Sequence, residues 1–407
     1  MKHTVESLFN SQGNSLQEFY QHFNVSGRVL LSGHSHQAWP DAAKQGQLKA
    51  FDDAALHVDD KWGAAFSQAE KVRSFYRDRL GDDQGEIVLG ASTHDLLLRY
   101  FSDLPWFQQP GKRKVVTTDG EFHSLRRQLD RLVDAGVIDL VRVPVNPQES
   151  LAERLAAELD QHTLTLMMSA VFFNSGRIFS QVGEVAAHAR QKDIPVLVDA
   201  YHAINVVPFN LAQWGLADCF VVGGGYKYCQ AGEGNCFMRL PKGYQGQPIV
   251  TGWYAEFAQL DQSAGQKQRV AYGRGQDAFA GSTYDPTSHY RGAAVFDFFH
   301  QQALSVDLLR ATSQQQIGHL WQGIAGMNLP ADQLALPEHE LIENAGFLTL
   351  HCANASQWVD ALKAKGVQCD SRGQNLRLGP APYVSQKQLD LALNALEDIG
   401  RQGNSTA

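Results

Sequence analysis

The chain has 407 residues, enough for more than one core, and two domains are expected. It is 43% hydrophobic and 19% charged with a net charge of −8, which excludes the basic face that a nucleic-acid partner requires. No run approaches the roughly 20 apolar residues of a membrane span, so no membrane partner is expected either.

Residues 1–60 read as helix, extended segment and helix. The opening Met1-Lys-His-Thr-Val-Glu-Ser7 lacks the apolar segment of a signal peptide. The turn-rich loop Gly33-His-Ser-His-Gln-Ala-Trp-Pro40 precedes a helix over Ala42–Leu56, opened by Pro40-Asp41. His34 and His36 are the one close histidine pair, and no metal site is expected there. The five cysteines (219, 229, 236, 352 and 369) are odd in number and form no C-x-x-C, which points to reduced thiols and a cytoplasmic setting.

From about residue 65, short apolar strands alternate with helices. Strands are predicted at Ile87–Leu89, Lys114–Thr117, Val141–Val143, Leu164–Ala170, Val196–Asp199 and Cys219–Val222. Helices are predicted at Thr93–Phe101, Ser124–Ala135, Ser150–Asp160 and Gly183–Gln191. This alternation predicts an α/β fold with a largely parallel sheet covered on both faces, and functional groups at the carboxyl ends of its strands. Beyond about residue 290 the pattern is helical (Arg291–Leu308, Thr312–Gly326). It closes with strands Phe347–His351 and Asn375–Leu378, a helix Gln357–Lys365 between them and a last helix Gln386–Ile399. The expected organisation is a segment 1–60 joining the small domain, a large domain 61–289, and a small α+β domain 290–407.

The most informative stretch is Val221-Val-Gly-Gly-Gly-Tyr-Lys-Tyr-Cys-Gln-Ala-Gly-Glu-Gly234. Lys227 follows a strand and a glycine triplet, and upstream the strand Val196–Asp199 ends in an acid, with His202 just beyond. An Asp at one strand end and a Lys at the next is the pair needed to hold pyridoxal phosphate (PLP). The carboxylate keeps the pyridinium nitrogen protonated and the amine forms the Schiff base. The competing reading, a solvated lysine among turn glycines, does not account for Asp199 and His202.

Asp199-Ala-Tyr-His-Ala, the later Leu211-Ala-Gln-Trp214 and Asp218-Cys-Phe220, and Tyr226-Lys-Tyr228 resemble PLP-dependent enzymes of fold type I. The branch is that of the class V aminotransferases, and kynureninases within it most closely. Thr251-Gly-Trp-Tyr254 and Leu376-Arg-Leu-Gly-Pro-Ala-Pro-Tyr-Val-Ser385 are similar to two further kynureninase segments. The resemblance implies a large domain with a mainly parallel seven-stranded sheet, a smaller α+β domain, and a homodimer with shared active sites.

The resemblance also assigns roles. Ser92 and Thr93 would cradle the phosphate at a helix start, where a plain N-cap is the competing reading. Phe122 would stack on the pyridine ring and Ser124 would reach the phosphate or a ring oxygen. Asp199 would be the pyridinium partner, His202 would lie at the cofactor edge, and Tyr226 would contact the phosphate and donate a proton. Trp253 and Thr283 would reach the phosphate, from the other subunit. Arg377 would fork the substrate α-carboxylate, against a competing surface ion pair. His34, Tyr254 and Glu256 would face the substrate.

The chain departs from kynureninases at Gly33-His-Ser-His36, Ala255-Glu256 and Thr283, positions that line their aryl-ketone pocket. The leading expectation is a hydrolase cleaving the Cβ–Cγ bond of kynurenine or 3-hydroxykynurenine to alanine and an anthranilate, a step of tryptophan catabolism. A class V aminotransferase or another β-lyase, including a C–S lyase, stays open, as does a catalytically silent protein of the same fold. A cysteine desulfurase needs a nucleophilic cysteine on a mobile loop, and Cys352 ends an alternating strand that reads as buried.

Overall fold

The computed structural model describes residues 2–106, 108–259 and 270–404. Seven strands form the central sheet: β1 Glu86–Gly90, β2 Lys114–Thr118, β3 Asp139–Val143, β4 Thr163–Ser169, β5 Val196–Asp199, β6 Phe220–Gly224 and β7 Cys236–Leu240. Their order is β1-β7-β6-β5-β4-β2-β3. All run parallel except β7, which is antiparallel to both β6 and β1.

The strands read as continuous apolar runs because both faces are covered. Successive side chains point to opposite faces. Leu166, Met168, Val198 and Val221 join one core with the helices Lys61–Leu80, Leu151–Ala157 and Val182–Arg190. Met167, Leu197, Val222 and Met238 join the other with the helices Thr93–Asp103 and His123–Asp134. The carboxyl ends of β4, β5 and β6 are left level with one another, since Ser169 pairs with Asp199 and Asp199 with Val222.

A second sheet holds β8 Leu348–His351, β9 Asp370–Arg372 and β10 Asn375–Leu378 in the order β9-β10-β8, all antiparallel. The N-terminal segment docks on this region. Val29–Leu30 pairs with Val367–Gln368, and the Gly33 amide donates to the Gly379 carbonyl at 2.7 Å. The loop 33–36 is thereby held against β9 and β10.

Several elements differ from the sequence expectation, among them the strands Val367–Gln368 and Asp370–Arg372, which were not predicted. The helix Lys61–Leu80 and the strand β7 were not foreseen. β7 carries Arg239 at a fully covered position, where the guanidinium pairs with Asp82 at 2.6 Å and donates to the Ala217 and Cys219 carbonyls. That internal pairing hides a strand whose sequence reads as mixed. The two predicted helices Arg291–Leu308 and Thr312–Gly326 are Thr287–Gln301 and Val306–Gly326, with the break at 302–305 rather than 309–311. Ala303 takes a positive φ of 55° between them, and the Ser305 side chain caps the second helix by accepting from the Leu308 amide.

Candidate active site

A cavity of about 250 Å³ lies at the carboxyl ends of β4, β5 and β6. Its wall brings together eight residues singled out in the sequence: Ser92, Thr93, Phe122, Ser124, Asp199, His202, Tyr226 and Lys227. Lys227 is placed there by the turn that leaves β6. A side chain on Gly224 would lie 2.1 Å from the Tyr201 hydroxyl, so this glycine is what lets the Tyr201 ring close over the strand end.

The Lys227 amine is buried, with Nζ 2.7 Å from Nε2 of His202. Nζ lies 5.2, 4.9 and 5.7 Å from the ring centres of Phe122, Tyr201 and Tyr226. Burial lowers the amine to about 7, Asp199 works against that shift, and the charge of Arg377 adds to it. His202 is held well below its ordinary value by burial and by the Lys227 charge, so its ring is neutral. Its Nδ1 is buried without a partner among the described residues.

Asp199 ends β5 with Oδ1 accepting from the Tyr201 amide at 2.7 Å. Oδ2 has no partner among the described residues. Burial raises this carboxyl, while the Tyr201 amide and Lys227 oppose the rise. Ser92 caps the helix Thr93–Asp103, its hydroxyl accepting from the Asp95 amide at 3.1 Å. The first amides of that helix precede its first internal hydrogen bond, at the stretch of cavity wall formed by residues 91–94. Phe122 meets Phe173 edge-on at 5.4 Å, and the exposed ring of His36 stacks on Tyr226 at 4.9 Å.

The other predicted residues stand elsewhere. Trp253 is 44% exposed and its Nε1 donates to the Thr283 hydroxyl at 2.9 Å. Thr283 and Tyr254 line a larger cleft of about 1160 Å³, which shares Ala91, Glu233 and Gly234 with the Lys227 cavity. Tyr254 packs among Trp62, Trp253, Phe257 and Tyr284. Glu256 accepts from the Ala271 amide and lines neither space. Arg377 and His34 are buried and are not among the residues lining the cavity; both are bonded to Asp370, and Arg377 also donates to the carbonyl of Phe173, which does line it.

Sequence reasoning missed Glu121 and Ser169. Glu121 is buried, its Oε2 is 2.6 Å from the Ser169 hydroxyl, and its Oε1 accepts from Thr118 Oγ1 and the Ser169 amide at 2.7 and 3.2 Å. Burial pushes its carboxyl up to about 7 against the lowering effect of these bonds, and nearby Asp199 adds to the rise. A glutamate at a strand end beside a predicted stacking aromatic was the available signal.

A mostly parallel seven-stranded sheet of this order, with an acid ending one strand and a buried lysine just past the next, is the α/β architecture of fold-type I PLP-dependent proteins. Residues 65–267 match the model of the class-V aminotransferases, and the chain is a class-V aminotransferase-like, PLP-dependent enzyme. It is 21% identical over 376 residues to an uncharacterized aminotransferase, YcbU, of Bacillus subtilis, covering 90% of this chain and 93% of that one. It is 22% identical over 398 residues to a kynureninase of Geobacillus thermodenitrificans, covering 93% and 90%. The fold matches an apo cysteine desulfurase from Thermococcus onnurineus with a TM-score of 0.77 at 16% identity, over 95% of this chain and 98% of that one.

PLP is accordingly the cofactor expected at Lys227, and the residues present fit it. A buried amine lowered to about 7 suits an aldehyde. A half-buried carboxylate with one oxygen unpartnered among the described residues suits a protonated ring nitrogen. The helix start at residues 91–94 and the Ser92 and Thr93 hydroxyls suit a phosphate. The orphaned Nδ1 of His202 is a polar atom that waits for a partner.

Proposed function

We propose that this chain is a kynureninase-like hydrolase, cleaving the Cβ–Cγ bond of an aryl-bearing amino acid such as kynurenine or 3-hydroxykynurenine. The observation that carries the reading is the buried Lys227 amine, poised near neutrality and facing Phe122, Tyr201 and Tyr226. Aromatic side chains on the cavity wall, with Phe173 and the His36–Tyr226 stack beside them, favour a planar aryl group in the substrate. The match to a kynureninase along nearly the whole chain supports the same reading.

PLP, when bound, supplies an electron sink for negative charge developing at the substrate Cα. The protein's own groups do the rest. Asp199 Oδ2 would hold the ring nitrogen. Lys227 Nζ would hold the aldehyde carbon and, once free, accept and return a proton as a neutral amine. His202 Nε2 orients Nζ. The residues 91–94 turn, Ser92, Thr93 and Ser124 would carry the phosphate, and Phe122 would cover one ring face. Tyr226, whose phenol burial pushes up to about 12, keeps its proton and is a donor at neutral pH. Arg377 would take the α-carboxylate. A second copy of the chain would close over the larger cleft and bring Trp253 and Thr283 to the phosphate.

A C–S lyase or aminotransferase on the same site is the second reading, favoured by the cysteine desulfurase likeness of the fold. For a desulfurase the thiols fit poorly. Four cysteines are buried, and burial pushes the partly exposed Cys369 up to about 12, far from an activated thiolate. One screen separates the readings. Purified protein is incubated with kynurenine, 3-hydroxykynurenine, cysteine and cystine, with and without a keto-acid acceptor. Anthranilate or its hydroxy form with alanine supports the hydrolase. Sulfide or persulfide, or a keto acid formed from the amino acid, overturns it.

A further inference from the structure

Arg377 does not present an empty fork. Its Nε and Nη2 donate to Oδ1 and Oδ2 of Asp370 at 2.8 and 2.6 Å, and its Nη1 donates to the Phe173 carbonyl at 2.8 Å. A guanidinium has five N–H groups, so these bonds leave two, one on each terminal nitrogen. Phe173 is itself on the wall of the Lys227 cavity.

Asp370 is held from the opposite side by the N-terminal loop. His34 Nε2 lies 2.8 Å from Oδ1, and the Ser35 hydroxyl donates to Oδ2 at 2.8 Å. The His34 ring is fixed on two sides. It stacks on Phe347 at 4.6 Å, and a side chain on Gly379 would come within 2.4 Å of its Nδ1. Burial holds His34 down to about 4 against the pull of Asp370, so the ring is neutral and its single N–H is the one that meets Asp370. Partial burial alone would raise Asp370, but the His34 and Arg377 bonds outweigh it and keep the carboxylate ionised. The result is a neutral assembly of one cation, one anion and one uncharged imidazole, closed by two chain segments more than 300 residues apart.

We propose that His34 and Asp370 are positioning residues that lock Arg377 so that its two remaining N–H groups receive the α-carboxylate of an amino-acid substrate while Asp370 stays in place. This rests on the reading of the Lys227 cavity as an amino-acid site. It also gives His34 a different task from direct contact with substrate. A carboxylate that had to displace Asp370 would meet the opposite situation, because Asp370 would then be its competitor.

The two arrangements differ in the sign of one measurement. L-alanine and L-alaninamide, which share the amine and methyl group but not the carboxylate, are titrated against the PLP-loaded protein through the cofactor's visible absorbance. Asp370→Asn is expected to weaken L-alanine roughly tenfold or more and to leave L-alaninamide within about twofold, because only the carboxylate uses the locked guanidinium. His34→Ala is expected to act in the same direction. His34→Gln, which sets an amide N–H near the place of Nε2, is expected to recover most of the loss. Ser35→Ala removes a single bond to Oδ2 and replaces Asp370→Asn if that variant fails to fold, with an expected loss for L-alanine of about threefold. Unchanged or tighter L-alanine binding in these variants overturns the proposal, as does wild-type protein that takes up L-alanine no better than L-alaninamide. Borohydride labelling of Lys227 in every sample keeps the two readings apart. Absence of label from the wild type sinks the PLP site itself, whereas label with unchanged L-alanine binding sinks only the lock on Arg377.

Discussion

Lys227 Nζ and His202 Nε2 are 2.7 Å apart, both buried, and neither carries a full charge at neutral pH. The contact is a hydrogen bond to a neutral imidazole rather than an ion pair. It aims an amine whose neutral form is already well populated near pH 7 into the cavity, with no carboxylate bonded to it.

Uptake of PLP by cofactor-free protein should follow that amine. Burial brings Lys227 from 10.5 to about 7, so the reactive neutral form grows in as pH rises through 7. The association rate, followed by absorbance, is expected to climb between about pH 6 and 8 and then level off. A rate still rising steeply toward pH 10 would show an ordinary lysine.

Lys227→Ala is expected to abolish turnover and leave PLP loosely held. Reduction of the wild-type holoenzyme with borohydride and peptide mapping should place the pyridoxyl group on Lys227. An adduct on another lysine would remove Asp199, His202 and Tyr226 from the active site along with it.

Arg377→Lys keeps the charge but loses the planar fork that reaches Asp370, Phe173 and the substrate together. KM for the amino-acid substrate should rise, and Arg377→Ala should raise it by the equivalent of roughly 2–3 kcal/mol, as for a charge-assisted pair, with PLP affinity nearly unmoved. A variant that loses cofactor yet keeps its KM would make Arg377 a structural residue.

Glu121 carries a stability prediction whose sign follows from its raised carboxyl. Its folded-state value is about 7 against an ordinary 4.5, so the folded protein binds this proton more tightly than the unfolded chain. The stabilisation is complete below about 4.5 and is lost as pH rises through 7. Glu121→Gln keeps an acceptor for the Ser169 amide and cannot ionise. Relative to wild type, the cofactor-free variant is expected to gain about 3 kcal/mol, as an upper figure, on going from pH 5 to pH 8 in urea denaturation. A difference between the two proteins that stays constant with pH refutes the buried-acid picture.

If two copies share their sites, inactive variants should rescue each other. Lys227→Ala mixed with Trp253→Ala after co-refolding should return about one quarter of wild-type turnover, since half the dimers are mixed and each has one intact site. Mixtures as inactive as their components would place Trp253 in the same subunit's site, or outside it.

Much of this was legible because the chemistry sits at strand ends. Asp199 and Lys227 each follow a short apolar run, and an apolar run is what a doubly covered strand looks like in sequence. Phe122 and Ser92 were readable for the same reason, each lying at the start of a helix that follows a strand. Glu121, Ser169 and Asp370 were not. Glu121 is an acid turned inward and raised to about 7 by burial, and a sequence shows only an acid. Asp370 matters through partners at His34 and Ser35, brought together by the pairing of Val29–Leu30 with Val367–Gln368, and no local pattern announces a pairing over that distance. β7 escaped because its buried Arg239 breaks the apolar run that identifies its neighbours.

The reversed direction of β7 has a mechanical outcome. Because Cys236 stands opposite Gly224 in the antiparallel pairing of β6 and β7, the stretch bearing Lys227 is anchored to the sheet at both its entry and its exit. A conventional crossover would leave one end on a helix free to slide. Here the main chain has no such slack, so the travel of the amine between cofactor and substrate falls to rotation about the lysine's own carbon–carbon bonds. Residues 225–235 are therefore a poor place to insert, nick or permute the chain.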